Sequence, residues 1–266
     1  MKWTQEAKDG LSRVPFFVRK RVKARVEEEA ARSGSNQVTL RHLHTCRKRF
    51  LNRMEEEVRG FQIDSCFGRE GCPNRAVDIE GLALRLEEKL ANRDLKAFLK
   101  ERVDGPLKMH HEFRVSISDC PNACSRPQIA DIGIMGASRP RVSEEDCTLC
   151  GACVEVCREE AISTEHGYPV VDEALCLSCG QCISVCPTGT ISQGKTGCRI
   201  IIGGKLGRHP RLALELPGIL EPNDLIMMVD NCLDYYQNEC MKGERLGEIM
   251  ERTGWKGPEN INKEKA

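Results

Sequence analysis

Cys147-Thr148-Leu149-Cys150-Gly151-Ala152-Cys153-Val154-Glu155-Val156-Cys157 and Cys176-Leu177-Ser178-Cys179-Gly180-Gln181-Cys182-Ile183-Ser184-Val185-Cys186-Pro187 share one spacing, C-x2-C-x2-C-x3-C. Close spacing lets a single turn of backbone present three thiolates to three corners of a cube, while the fourth cysteine is carried off by the following helix and reaches a second cube. By that rule Cys147, Cys150, Cys153 and Cys186 hold one 4Fe-4S cluster, and Cys176, Cys179, Cys182 and Cys157 hold another. Small residues at Gly151, Ala152 and Gly180 let backbone N–H groups approach the sulfurs. A zinc ribbon also uses CxxC pairs, but eight cysteines in this order, repeated, favour cubanes.

The repeat extends past the cysteines, to Ala161-Ile162-Ser163 after the first motif and Thr190-Ile191-Ser192 after the second. Residues 141–192 resemble a bacterial-type ferredoxin carrying two 4Fe-4S clusters. Arg158 stands where the usual proline of the first motif would be, a departure that concerns a local turn and not the ligands.

Sixteen cysteines in 266 residues can mean disulfides or metal. Disulfide frameworks belong to short secreted chains. Here Met1-Lys2-Trp3 opens no apolar leader, and no run of about 18 apolar residues follows anywhere. The expectation is a protein of the reducing cytoplasm, without a membrane span, whose thiols serve metal. The formal net charge is zero, so no global field directs the chain to nucleic acid or lipid. Basic residues nevertheless crowd 13–59, among them Arg19, Lys20, Arg21, Lys23, Arg25, Arg47, Lys48 and Arg49. A solvated helix face and an anion contact both explain them.

Helical composition over 4–31 is interrupted by Pro15 and ends at Ser33-Gly34-Ser35-Asn36. A further helix is expected from Val38 to Val58 with Thr39 as a cap, and another over 78–103 through Leu82, Leu86, Leu90, Leu95 and Leu99. Phe113 to Ser118 alternates as a half-buried strand would. Arg199-Ile200-Ile201-Ile202 reads as a short strand, and Asp224 to Met250 as one or two amphipathic helices.

Four more cysteines form two pairs, Cys66-x5-Cys72 and Cys120-x3-Cys124, the second within Ser118-Asp119-Cys120-Pro121-Asn122-Ala123-Cys124-Ser125. With Ile129-Ala130-Asp131-Ile132-Gly133 and Ile202-Gly203-Gly204-Lys205-Leu206-Gly207-Arg208-His209-Pro210-Arg211, they resemble the nitrite and sulfite reductase family over roughly residues 61–257. The resemblance implies a third 4Fe-4S cluster on Cys66, Cys72, Cys120 and Cys124, with Cys124 also bridging to the iron of sirohaem. A shared thiolate joins the two centres electronically. The eight carboxylates of sirohaem require cations or oriented N–H donors; Asn122, Arg126, Gly203, Gly204, Lys205, Arg208 and Arg211 are the candidates. In the family, cations before the second pair bind the anion and deliver protons. Here that stretch reads His111-Glu112-Phe113-Arg114, so Arg114 keeps one charge, Glu112 replaces another, and Lys108, His110 and His111 compensate.

Trp3, Ala7, Leu11 and Val14-Pro15-Phe16-Phe17-Val18-Arg19 resemble the small C-terminal domain of the light-independent protochlorophyllide reductase catalytic subunit. The expected fold is α+β: one sulfite-reductase-type half, a mixed sheet with helices, holding an inserted ferredoxin domain and preceded by a small helical domain. The boundaries are 1–50 for the helical domain, 51–140 and 193–266 for the two parts of the reductase half, and 141–192 for the insert. The implied function is electron transfer through three 4Fe-4S clusters to sirohaem, which reduces sulfite, nitrite or a related small oxyanion. An electron-donor protein or reductase subunit, or a homo-oligomer, is the implied partner. A relay subunit whose tetrapyrrole site is completed by a partner, and a protein that acts on a tetrapyrrole, are the alternatives. Cys46, Cys198, Cys232 and Cys240 lack cluster spacing and read as buried thiols.

Overall fold

The structure is a computed structural model that describes residues 1–79, 81–164 and 167–258, with the backbone alone at 52–54, 69 and 70. The last eight residues of the segment expected to end at 266 therefore lie outside the described residues. The chain divides into two units: Met1–Arg59 with Val103–His110, and Gly60–Arg102 with the chain from His111 onward.

In the first unit, β1 (Lys2–Trp3) pairs in parallel with β2 (Gln37–Val38), beside α1 (Gln5–Ser12), α2 (Phe16–Arg32) and α3 (Leu40–Glu57). Thr4 caps α1 by accepting from the Ala7 N–H at 3.3 Å. Pro15 stands directly before α2, where its missing N–H costs nothing. The Arg19 guanidinium closes the joint, donating to the carbonyls of Ser12 and Val14. Ala7, Val26, Ala30 and Val38 form a small core with Trp3, Val22, Leu43 and Cys46 packed against it. Few large side chains are buried here, in keeping with the many charges along α2 and α3.

The second unit is built on a five-stranded mixed sheet, in the order β3 (Phe61–Ser65), β4 (Phe113–Ser118), β5 (Ile132–Val142), β8 (Ile191–Ile202), β9 (Leu214–Glu215). The first three strands run parallel, and β8 and β9 are antiparallel to their neighbours. On one face Phe113, Val115, Ile117, Ile132, Ile134, Ile200 and Ile202 pack against α4 (Leu82–Ala91), α5 (Leu95–Arg102), α8 (Pro222–Glu239) and α9 (Leu246–Thr253). The single helix expected over 78–103 is two. Asp94 adopts a left-handed φ of 42°, so the leucine stripe continues across a break that its spacing conceals.

Two further differences bear on the site. The strand expected at Arg199–Ile202 is only the end of twelve-residue β8, because its polar first half is held by pairing with β5 rather than by apolar alternation. β4 is buried on both faces instead of one, and its serines lie under a loop. The ladder of β5 and β8 runs from Ile132 opposite Ile202 to Val142 opposite Ile191. The cysteine-rich segment is thus an excursion that leaves and returns at adjacent strand ends. It contains α6 (Ala152–Val156), β6 (Ile162–Ser163), antiparallel β7 (Val170–Val171) and α7 (Gln181–Val185). Among the described residues, no helix is long and apolar enough to cross a membrane.

Candidate functional site

The excursion carries the sequence repeat into three dimensions. Leu149 and Ser178 take left-handed φ values of 54° and 57°, which fold each Cys-x2-Cys turn back so that an N–H points at a sulfur. The Cys147 Sγ accepts from the Leu149 N–H at 3.4 Å, and the Cys176 Sγ from the Ser178 N–H at 3.4 Å. Each fourth cysteine ends a short helix, and its sulfur again accepts a backbone donor: Cys157 from Ala161 and Cys186 from Ile191, both at 3.3 Å. N–H donors aimed at sulfur are the surroundings that favour thiolate over thiol.

Two cavities sort the eight sulfurs into the crossed sets expected from spacing. Cys147, Cys150, Cys153 and Cys186 line one, together with Pro187 and Ile191. Cys157, Cys176, Cys179 and Cys182 line the other. Burial pushes the Cys182 thiol up to about 12, with further contributions from the charges of Cys179, Cys176 and Cys157. Four crowded thiols cannot all ionise without a cation between them, which is the chemistry of a donor set built for iron. Among the described residues no trio of His, Cys, Asp or Glu side chains converges on a single ion-sized point; the sulfurs ring cavities instead.

The other four cysteines come from two loops at the ends of parallel strands. Cys66 follows β3, and its N–H donates to Ile117 O at 2.9 Å, tying it to β4. Its sulfur accepts from Gly68 N at 3.4 Å and from Asp119 N at 3.3 Å, the residue before Cys120. The Cys72 loop is fastened to the same place, with Arg75 Nε donating to Asp119 Oδ2 at 3.1 Å and Ala76 N to Asp119 O at 3.0 Å. Burial and then the charges of Cys124, Cys72 and Cys66 push the Cys120 thiol up. The four sulfurs are therefore electrostatic neighbours although 58 residues separate the first from the last. Cys120 is buried, while Cys124 is exposed.

The loop from Cys120 to Ala130 lies flat on the sheet face opposite the helices. Ser116 Oγ donates to Ser125 O at 2.8 Å, and Ser118 Oγ meets Ser125 Oγ at 2.7 Å. Close approach is permitted by Gly133, where a Cβ would sit 2.5 Å from Pro127 O, while Gly136, on the other face of β5, admits the Asp119 carbonyl, 2.4 Å from where its Cβ would be. Arg114 shares this face two residues before Ser116. Its guanidinium Nε is buried with no hydrogen-bond partner among the described residues, an orphaned donor of the kind an anion satisfies.

The remaining candidates separate. Asn122, Arg126 and Arg208 are exposed, and Arg126 has a left-handed φ of 63°. Lys205, expected to face a carboxylated ligand, instead pairs its ammonium with Glu248 at 2.5 Å, and Arg211 donates to Gly247 O. Gly203 gives its N–H to Asp131 O at 2.7 Å, and Gly204 packs against the Gln128 carbonyl. The glycine-rich motif thus fastens α9 to the sheet, with only its tip, Leu206 to Pro210, exposed. Lys108 and His110 belong to the helical unit, His111 opens the sheet unit, and Glu112 is buried. Three further residues that build the site receive no role from the sequence: Arg75, Ser125 and the fully buried Asp131, which accepts from Arg114 N, Leu246 N and the Arg245 guanidinium. Asp131 belongs to the Ile129–Gly133 motif, but nothing local signals a partner 114 residues away.

Comparison with known proteins agrees with this architecture. Residues 59–259 match the nitrite and sulphite reductase 4Fe-4S domain, and residues 3–47 match the proto-chlorophyllide reductase 57 kD subunit. A coenzyme F420-dependent sulfite reductase of Methanocaldococcus jannaschii is 34% identical over 72% of this chain and 29% of its own length. A subunit of the anaerobic sulfite reductase of Salmonella typhimurium is 30% identical over 40% of this chain and 26% of its own. The chain thus spans less than a third of either relative. A crystal structure of dissimilatory sulfite reductase I shares the fold, with a TM-score of 0.51 and 19% identity over 72% of this chain and 49% of that one. With the family match running through both cysteine pairs, the crossed excursion and the glycine-rich motif, the chain belongs to the nitrite and sulphite reductase 4Fe-4S domain family.

Proposed function

We propose that this protein is an iron–sulfur oxidoreductase in which electrons pass from two ferredoxin-type 4Fe-4S clusters to a coupled 4Fe-4S and sirohaem centre that reduces sulfite or a related small oxyanion. The observation that carries the reading is the tying of the Cys66 and Cys72 loop to the Cys120 and Cys124 loop through Asp119, whose N–H meets the Cys66 sulfur and which holds Arg75 and Ala76, beside an excursion whose eight cysteines line two cavities. The four-part organisation, with residues 141–192 as an inserted ferredoxin, follows from the same reading.

Each group of residues has a task in it. The twelve cysteines hold the clusters, and backbone N–H groups at Gly68, Asp119, Leu149, Ala161, Ser178 and Ile191 set the electron density on their sulfurs. The exposed Cys124 would hold sirohaem iron through its sulfur, and that group would supply the redox chemistry on the anion. Arg126 and Arg208 neutralise peripheral carboxylates, with Asn122 as a neutral donor. The Arg114 guanidinium, whose Nε is orphaned, would hold the anion and its hydrogen-bonded water on the sheet face; His111 is a further proton source.

Anaerobically purified protein supplied with a reduced viologen dye tests this directly. Sulfite-dependent dye oxidation with sulfide formed is the expected result, and Arg114→Ala should lower it at least tenfold, the usual size of a lost charge-stabilising contact or more. Dye oxidation that neither sulfite nor nitrite stimulates, in protein carrying sirohaem, contradicts the enzymatic reading. A second reading has its own support. Cys124, Leu206 and Leu212 are exposed, and relatives include named subunits of larger reductases. The chain would then serve as an electron-transfer subunit whose tetrapyrrole face a partner or a second copy completes.

A further inference from the structure

We propose that Gln181, acting through Asn74, is the positioning residue that fixes the Cys157, Cys176, Cys179 and Cys182 set against the Cys66, Cys72, Cys120 and Cys124 set, and so makes the former the immediate electron donor to the latter. The inference rests on the reading that both sets hold clusters and deepens it by giving the relay an order. The cavity ringed by Cys157, Cys176, Cys179 and Cys182 is also lined by Pro121 and Asn122, which lie between Cys120 and Cys124. Among the described residues, the cavity of Cys147, Cys150, Cys153 and Cys186 is lined by none from either cysteine pair. One set therefore borders the third site and the other stands away from it.

Gln181 opens α7 immediately before Cys182, and Asn74 follows Cys72 by two residues. Gln181 Nε2 donates to Asn74 Oδ1 at 2.7 Å, and both side chains are half-buried. The Asn74 loop is itself anchored beside Cys120 through Arg75 and Ala76 to Asp119. This hydrogen bond thus connects a loop of one sulfur set to a loop of the other. Other ties of the excursion near this point run to β5 and β8: Ser138 N to Ser178 O at 2.7 Å, Arg199 Nη1 to Leu177 O at 3.0 Å and the Arg139–Glu173 ion pair at 3.8 Å. They hold the excursion to β5 and β8 and leave its approach to the Cys72 loop to the amide pair. Electronic coupling between two centres falls steeply with their separation, so a contact that fixes the gap governs the rate without ligating metal.

The test uses the full chain purified anaerobically. Gln181→Met keeps the length and removes the donor. The expected protein has parental iron content, weaker magnetic interaction between neighbouring reduced clusters in its electron paramagnetic resonance spectrum, and about fivefold slower flash-induced reduction of the third centre, the population shift a lost hydrogen bond gives. The reciprocal swap, Asn74→Gln with Gln181→Asn, should restore both readouts. A Gln181→Met protein with full iron and parental coupling and rate overturns the proposal, as does one that loses iron, which would make Gln181 a folding residue only. A parent holding only about eight irons contradicts instead the reading beneath it.

Discussion

Asp119 and Asp131 organise the site without being among its cysteines or its candidate cations. Asp119 holds Arg75 through its carboxylate and Ala76 through its carbonyl, while its own N–H reaches the Cys66 sulfur. Three of the four convergent cysteines therefore lie next to groups that one residue fixes. Asp131 is fully buried and meets the Arg245 guanidinium in a salt bridge that also gathers the N–H groups of Arg114 and Leu246. Breaking a buried pair leaves an unpaired charge in the interior, which costs about 3–5 kcal/mol. Asp131→Ala should accordingly lower unfolding stability by that order, read as a shift of the urea midpoint. At the ligands the expectation is compositional. Cys120→Ala should reduce cluster iron from about twelve to about eight atoms per chain and leave the excursion's clusters spectroscopically unchanged. The crossed grouping of the eight cysteines around two cavities is legible from their spacing. Arg75 and Ser125 are not, because nothing in their neighbours specifies which distant loop they will meet.

Elements position the site by letting loops approach strands. The Cys120 to Ala130 loop rests on β4 and β5 because β4 presents serines on that face and β5 presents Gly133. Adding a methyl at Gly136 would place a carbon 2.4 Å from the Asp119 carbonyl, a backbone atom that cannot swing aside. Gly136→Ala should cost roughly 1–3 kcal/mol as overpacking and lower occupancy of the third cluster while the other two remain, as iron analysis and optical spectra would record. By sequence β4 reads as a half-buried strand, because serine ordinarily marks the wet face. The face is dry because Ser116 and Ser118 bond Ser125 in place of water. The same limit conceals the first half of β8, whose residues are polar and whose strand conformation comes from its partner. Helix breaks escape for a related reason: the leucine stripe of α4 and α5 keeps its period across Asp94, and only the backbone dihedral records the corner.

At the scale of the whole molecule, a mixed sheet gathers two cysteine loops at strand ends, and one antiparallel ladder carries the eight-cysteine excursion. The glycine-rich motif, which resemblance would assign to a carboxylated ligand, mostly docks α9, with Lys205 and Arg211 held by Glu248 and Gly247. That leaves Arg126 and Arg208 as exposed cations of the candidate set and makes a completing surface from a partner or second copy a natural part of the proposed enzyme. The whole relay depends on the four sulfurs of Cys66, Cys72, Cys120 and Cys124 forming a cage. Iron, acid-labile sulfide and extractable sirohaem per chain, measured on protein purified without oxygen, address this most directly. About twelve cluster irons with a further iron in sirohaem are predicted; about eight irons and no tetrapyrrole would contradict it.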